Sequence, residues 1–251
     1  MTSTPRLIHP LVLALLSLGT TAHAVAAAPS CSARSAAAAP TVVELYTSEG
    51  CNSCPPADRW LSRVSADTAV VALAFHVDYW DRLGWKDRFA SAAYTQRQAQ
   101  TQASSGARFS YTPQVIVDGA DRPDWPRATV PARAPAPARI SVQLDRDGPR
   151  VTATVAPGDG APRRLAAYWA VTEQGHVSAV KSGENAGVTL THDAVVREYR
   201  QVAAWSAVAG TPVTLQHEIA LPPDPAHARQ VKLVVVDADT GRPVQAVQLG
   251  C

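Results

Sequence analysis

The stretch that decides the reading is Thr41–Val64, TVVELYTSEGCNSCPPADRWLSRV. Thr41 to Thr47 is short and mostly apolar, which predicts a strand. Ser48-Glu49-Gly50 is a turn signal. Pro55 and Pro56 suit the first turn of a helix, where a missing N–H has no partner to lose. Ala57, Trp60, Leu61 and Val64 then recur at helical spacing. Cys51 and Cys54, three residues apart, therefore belong to a strand-to-helix junction.

That placement suits sulfur chemistry. The thiolate is the nucleophile, and a helix N-terminus favours negative charge. The spacing predicts an attacking Cys51 on the exposed side of the turn and a more buried, resolving Cys54, with exchange through a mixed disulfide. Glu49 opposes thiolate formation if it points inward. The same CxxC also reads as a permanent disulfide without turnover. Half of a zinc site is a poorer reading, because there is no second CxxC.

Downstream, Ala69 to Phe75 is a continuous apolar run, as in a buried parallel strand. His76, Asp78, Tyr79, Trp80, Asp81, Trp85, Lys86 and Asp87 follow it. Both this cluster and Cys51 follow strands, so the pattern predicts that they share the C-terminal edge of a sheet, where open α/β sheets bind ligands. His76, Asp78 and Trp80, with Glu49, are candidate supporting residues, and His76 is a candidate for proton transfer. Lys86 to Gln102 reads as a helix, and Gln114 to Val117 as a strand introduced by Tyr111-Thr112-Pro113. Thr112 and Pro113 are candidates for a substrate groove beside the cysteines. A proline at this point, after strand, CxxC, helix and strand, is where thioredoxin-like folds carry a cis peptide.

Five prolines between Pro123 and Pro137 crowd a short stretch that neither a regular helix nor a central strand tolerates. From Ile140 the pattern changes to period two, and Asp147-Gly148 marks a hairpin between Ile140–Leu144 and Val151–Val155. Further strands are predicted at 166–171, 213–219, 231–236 and 244–249. Gly183-Glu184-Asn185-Ala186-Gly187 and Thr191-His192-Asp193 stand out, but their spacing assigns them no chemistry beyond turn geometry. The division predicted is a signal peptide at 1–24, an Ala/Ser/Pro-rich tether at 25–40, an α/β domain at 41–122, a Pro-rich linker at 123–138 and a β-rich domain, read as an antiparallel sandwich, at 139–251.

ELYTSEGCNSCPPAD (Glu44–Asp58), HVDYWDRLGWKDRF (His76–Phe89), YTPQVIVDG (Tyr111–Gly119) and GENAGVTLTH (Gly183–His192) together resemble a family of exported proteins catalogued as domain of unknown function 1223 (DUF1223). The resemblance implies a thioredoxin-like N-terminal domain followed by a β-rich part. It implies no particular reaction. The resemblance implies a further strand and a helix after Gly119, and the prolines at that point depart from this pattern.

At the N-terminus, Arg6, the apolar run Leu11–Leu18 and Ala22-His23-Ala24 have the layout of a secretory signal peptide. The run is too short to span a bilayer. The predicted location is therefore exported, periplasmic or secreted, where disulfides persist. All four cysteines lie beyond Ala24. The simplest pairing is Cys51 with Cys54 and Cys31 with Cys251, the second a structural bond between the ends of the chain. Hydrophobic residues make up 46% of the 251, which excludes a wholly disordered chain, and a net charge of +2 gives no electrostatic reason to expect nucleic acid.

The leading reading is an exported thiol–disulfide oxidoreductase acting on protein thiols or disulfides through Cys51 and Cys54. No cofactor, resident metal, nucleic-acid partner or membrane span after signal removal is implied. The alternatives are a copper-binding module using Cys51, Cys54 and His76, and a binding protein whose disulfides only staple the fold.

Overall fold

The computed structural model describes Met1 and residues 31–128, 130 and 137–251. The predicted leader beyond Met1 and the first part of the tether, residues 25–30, lie outside this range, as do several residues of the proline-rich stretch. The described strands are β1 (Cys31–Arg34), β2 (Thr41–Thr47), β3 (Val70–His76), β4 (Gln114–Val117), β5 (Ala120–Asp121), β6 (Ile140–Asp147), β7 (Arg150–Pro157), β8 (Arg164–Glu173), β9 (His176–Ala179), β10 (Thr189–His192), β11 (Val195–Ser206), β12 (Val213–Glu218), β13 (Arg229–Asp237) and β14 (Pro243–Leu249). The helices are α1 (Pro55–Val64) and α2 (Ala92–Ser105).

This arrangement corrects the predicted fold class. Among the described residues, no α/β thioredoxin-like domain stands at the N-terminal end. Strands β2 to β5 are half of one eight-stranded mixed sheet, ordered β14-β13-β8-β11-β3-β2-β4-β5. The parallel pair β2–β3 leaves the far edge of β3 open, and β11 takes it, in register Val195↔Ala74. An exposed edge is a ready template for pairing. Here the chain covers part of that edge, at Ala74, with its own strand from beyond the prolines. The result is dominated by strands, with two α-helices among the described residues.

The eight-stranded sheet is covered on both faces. On one, Val42, Tyr46, Leu73, Phe75, Ile116, Tyr168 and Val234 pack with Tyr94 of α2. The other face is shared. Val43, Leu45, Ala72, Ala74 and Val115 meet Ala57, Trp60 and Leu61 of α1. Leu165, Trp169, Val171, Leu233 and Val235 meet Val142, Leu144, Val151 and Val155 from a second, antiparallel sheet, β1-β6-β7-β12. The alternation in β6 and β7 follows from this one-sided burial.

A separate two-stranded ribbon, β9–β10, crosses the site edge. Its inner positions His176, Ser178, Leu190 and His192 are buried, and the residues between them are exposed. Its tip is the Gly183–Gly187 segment.

Candidate functional site

Cys51 and Cys54 are joined as a disulfide, with Cα atoms 5.4 Å apart, at the junction of β2 and α1. The N-cap of α1 is Cys54, followed by Pro55 and Pro56. The two prolines remove two of the N–H groups that make a helix start attractive to an anion. The main-chain N–H groups of Ala57 and Asp58 both turn back to the Cys54 carbonyl.

The expectation of an exposed Cys51 is overturned. Both cysteines have 0% exposure, while Asn52 and Ser53 between them are exposed. The cover comes from two directions. Thr112 donates its hydroxyl to Cys51 Sγ at 3.4 Å and accepts from Trp80 Nε1 at 2.8 Å. The Thr112–Pro113 peptide is cis. From the ribbon tip, Asn185 Nδ2 donates to the carbonyls of Glu49 at 2.8 Å and Cys51 at 3.0 Å, and Glu184 Oε2 accepts from Asn52 N at 3.2 Å. Residue 50 must be small, because a Cβ there would stand 3.0 Å from Trp80 Cβ.

Behind the turn lies a buried ionisable cluster. His76 Nδ1 and Asp87 Oδ2 are 2.6 Å apart, and both residues are buried. Asp87 also accepts the N–H groups of Glu49 and Phe89, at 2.8 and 2.9 Å. Burial by itself raises a carboxyl pKa. Facing His76 and those donors, Asp87 instead falls to about 2. Burial disfavours a charged imidazole, and the Asp87 carboxylate overrides it, so His76 is shifted upward. Both shifts favour the ionic form of the pair.

Glu49 does point inward. Its Oε2 accepts from Trp85 Nε1 at 2.7 Å, and its Oε1 faces His192 Nε2 at 3.5 Å. That second contact is too long for a well-formed hydrogen bond. Burial pushes the Glu49 carboxyl up, but His192 and Trp85 among its neighbours outweigh it and leave it lowered. Asp58, with Thr47 Oγ1 at 3.2 Å, is raised by burial. The His76 and His192 rings are 5.0 Å apart. Glu49 Oε1, His76 Nε2 and both ring nitrogens of His192 have no hydrogen-bond partner among the described residues.

Of the residues singled out from the sequence, Cys51, Cys54, Thr112, Pro113, Glu49, His76 and Trp80 converge here. Asp78 does not. It accepts from Thr95 Oγ1 at 2.6 Å and ties the loop to the first turn of α2. Cys31 pairs with Cys251 elsewhere, across the ends of the described chain. Asp87, Glu184, Asn185 and His192 belong to the site and went unassigned in the sequence. The only signals there were the acidic position in the His76–Phe89 cluster and a Gly-flanked Asn ahead of the alternating Leu190 and His192. Among the described residues, no group of three or more His, Cys, Asp or Glu side chains is arranged to hold a metal ion.

No curated protein matches the chain. The crystal structure of protein AGR_C_4864 from Agrobacterium tumefaciens is similar, at 28% identity and a TM-score of 0.61, over 84% of this chain and 94% of that one. HBP35 of Porphyromonas gingivalis shares the fold at 14% identity and a TM-score of 0.62, over 85% of this chain and 76% of the other. The model of the DUF1223 family, proteins of unknown function, matches residues 42–237, and the chain belongs to that family.

Proposed function

We propose that the chain is a thiol–disulfide oxidoreductase whose Cys51–Cys54 disulfide is the reacting bond. The observation that supports this best is the setting of the bond. Five ionisable side chains, Glu49, Asp58, His76, Asp87 and His192, are buried around the turn that carries it. Buried charge destabilises unless paired, and perturbed ionisable groups cluster at reactive sites. A staple needs none of them.

The loop lengths favour the same reading. In the chain-entropy model, closing a span of 220 residues between Cys31 and Cys251 is worth about 5 kcal/mol, and a span of 3 about 2 kcal/mol. The long bond suffices as the staple.

In the reaction, a partner thiolate attacks Cys51 Sγ. A new S–S bond forms, the Cys51–Cys54 bond breaks, and Cys54 leaves as a thiolate that takes up a proton. A second thiolate of the partner attacks the mixed disulfide and releases Cys51. Two electrons and two protons pass from the partner dithiol to the pair, and the partner leaves oxidised. Run in reverse, the dithiol form reduces a partner disulfide. Thr112 and Pro113 border the approach to Cys51. Because both sulfurs are covered, exchange proceeds only after the cover moves.

An exported location is part of this proposal. The disulfides are compatible with it, and no described helix is long and apolar enough to cross a membrane. The test is thiol exchange between the purified oxidised protein and a cysteine-containing peptide, followed by mass spectrometry. Wild type should form a mixed disulfide located at Cys51 by peptide mapping, and then the Cys51–Cys54 dithiol. Cys51→Ser should form neither. Equal reaction in the two proteins, or none in wild type over hours with excess thiol, overturns the reading.

A further inference from the structure

The Gly183–Gly187 tip does more than exclude solvent. Asn185 is buried and gives its amide to two carbonyls of the CxxC turn, at 2.8 and 3.0 Å, and Glu184 takes the Asn52 N–H at 3.2 Å. Three main-chain groups within Glu49–Asn52 are thus satisfied by side chains. An extended polypeptide offers the same complement, N–H donors beside C=O acceptors, as strands do when they add to an open edge.

The tip is also built as a unit. Its own main-chain bonds, Ala186 N to the Gly183 carbonyl, Val188 N to that of Asn185 and Gly187 N to that of Val180, do not involve the CxxC turn. Gly183 and Gly187 flank it with φ of +75° and +83°, conformations that glycine reaches freely. Its ties to the turn are therefore the bonds of Asn185 and Glu184. At its base, Ser182 Oγ donates to the Gly84 carbonyl at 2.6 Å.

Resting on the thiol–disulfide reading above, we infer that the site's partner is an extended polypeptide segment carrying cysteine, and that the Glu184–Asn185 tip occupies its hydrogen-bonding positions until displaced. The tip competes with the segment for the main chain of Glu49, Cys51 and Asn52. A small thiol gains access only when the tip has already opened, whereas a peptide replaces the tip's bonds with its own. Exchange with a peptide is then faster than exchange with a small thiol of equal pKa.

The test uses the full oxidised chain with three reductants: a single small thiol, an unstructured cysteine peptide, and the same peptide N-methylated at the residues flanking cysteine. Asn185→Ala removes two of the tip's bonds and should raise the open fraction, and the small-thiol rate, about 30-fold. Glu184→Ala, an exposed position that leaves the fold intact, should raise it about 5-fold. In wild type, N-methylation should slow the peptide at least 10-fold, to the rate of the small thiol.

If both variants leave every rate unchanged, the tip is not a competitor. If peptide and N-methylated peptide react alike, the tip is a plain shield and the polypeptide inference fails while the redox reading stands. If no thiol exchanges with wild type or either variant, the redox reading itself fails, and this inference with it.

Discussion

Lys232 gives the most quantitative prediction. It is 1% exposed in β13, and its Nζ donates to the Ala72 carbonyl at 2.7 Å. The reason lies in the sheet. β11 meets β3 at Val195↔Ala74, where Ala74 N bonds the Ala194 carbonyl. Alternate residues of a strand send their main-chain groups to the same side. Ala72 therefore faces the stretch of β3 edge that β11 does not cover, and Lys232 caps it. Burial lowers the Lys232 pKa from 10.5 to about 7, against the preference of the Ala72 bond for the charged form. That displacement corresponds to about 5 kcal/mol against the folded state while the amine is charged. The penalty is full below pH 7. Above it the unfolded chain binds more protons than the folded one, so stability climbs with pH, by about 2 kcal/mol from pH 7 to 9, until the penalty vanishes near 10.5. Lys232→Met removes the penalty but leaves a buried carbonyl without its donor, at about 1–3 kcal/mol. The variant should be more stable than wild type by about 2–4 kcal/mol at pH 6 and less stable at pH 10, with the curves crossing near pH 9. Urea unfolding of both oxidised proteins across this range measures it. A variant less stable at pH 6, or a difference independent of pH, refutes the reasoning.

Three further outcomes follow from the geometry. Asp87→Asn strands His76 and should destabilise by about 3–5 kcal/mol near pH 6. The raised His76 pKa makes the pair's contribution full below about 6.5 and lost as pH rises through the folded value. The lowered Asp87 pKa makes it full above about 3.9 and lost as pH falls toward about 2, so the difference from wild type in denaturant unfolding should peak between these limits. Replacing Cys31 and Cys251 together by serine should lower stability by about 5 kcal/mol and replacing Cys51 and Cys54 by about 2, and equal losses in urea titrations would contradict the loop-length argument. Gly183→Ala, where a Cβ would meet Trp85 Cβ at 3.2 Å, should destabilise by about 1–2 kcal/mol and alter Trp fluorescence, whereas Gly187→Ala, with open space around it, should show only the backbone part, about 1 kcal/mol.

Much of the local structure was legible because its causes are local. Thr41–Thr47 and Gln114–Val117 are strands at the predicted bounds, and the β6–β7 hairpin forms where Asp147-Gly148 marks it, with Gly148 and Pro149 in the turn. The pairing of Cys51 with Cys54 and of Cys31 with Cys251 was also legible, from spacing and from their places near the chain ends. β11 was not legible. Its composition, VVREYRQVAAWS, is half polar, and irregularities at Val196/Glu198 and Val202/Trp205 break its alternation. Missing that strand led to the wrong fold class, because β11 joins the two halves into one sheet.

The site divides in the same way. The sequence determined which sulfurs lie together and that a helix follows them, since proline placement and three-residue spacing act within one turn. Tertiary structure alone decided that the sulfurs are closed off. Asn185 and Glu184 lie more than 130 residues from the turn they bind. Burial and hydrogen-bond partnership depend on what the rest of the chain brings into contact, and no periodicity in Thr41–Val64 encodes it. The same holds for Asp87 and His192, whose charges matter only once the loop after β3 and the ribbon fold over Glu49 and His76.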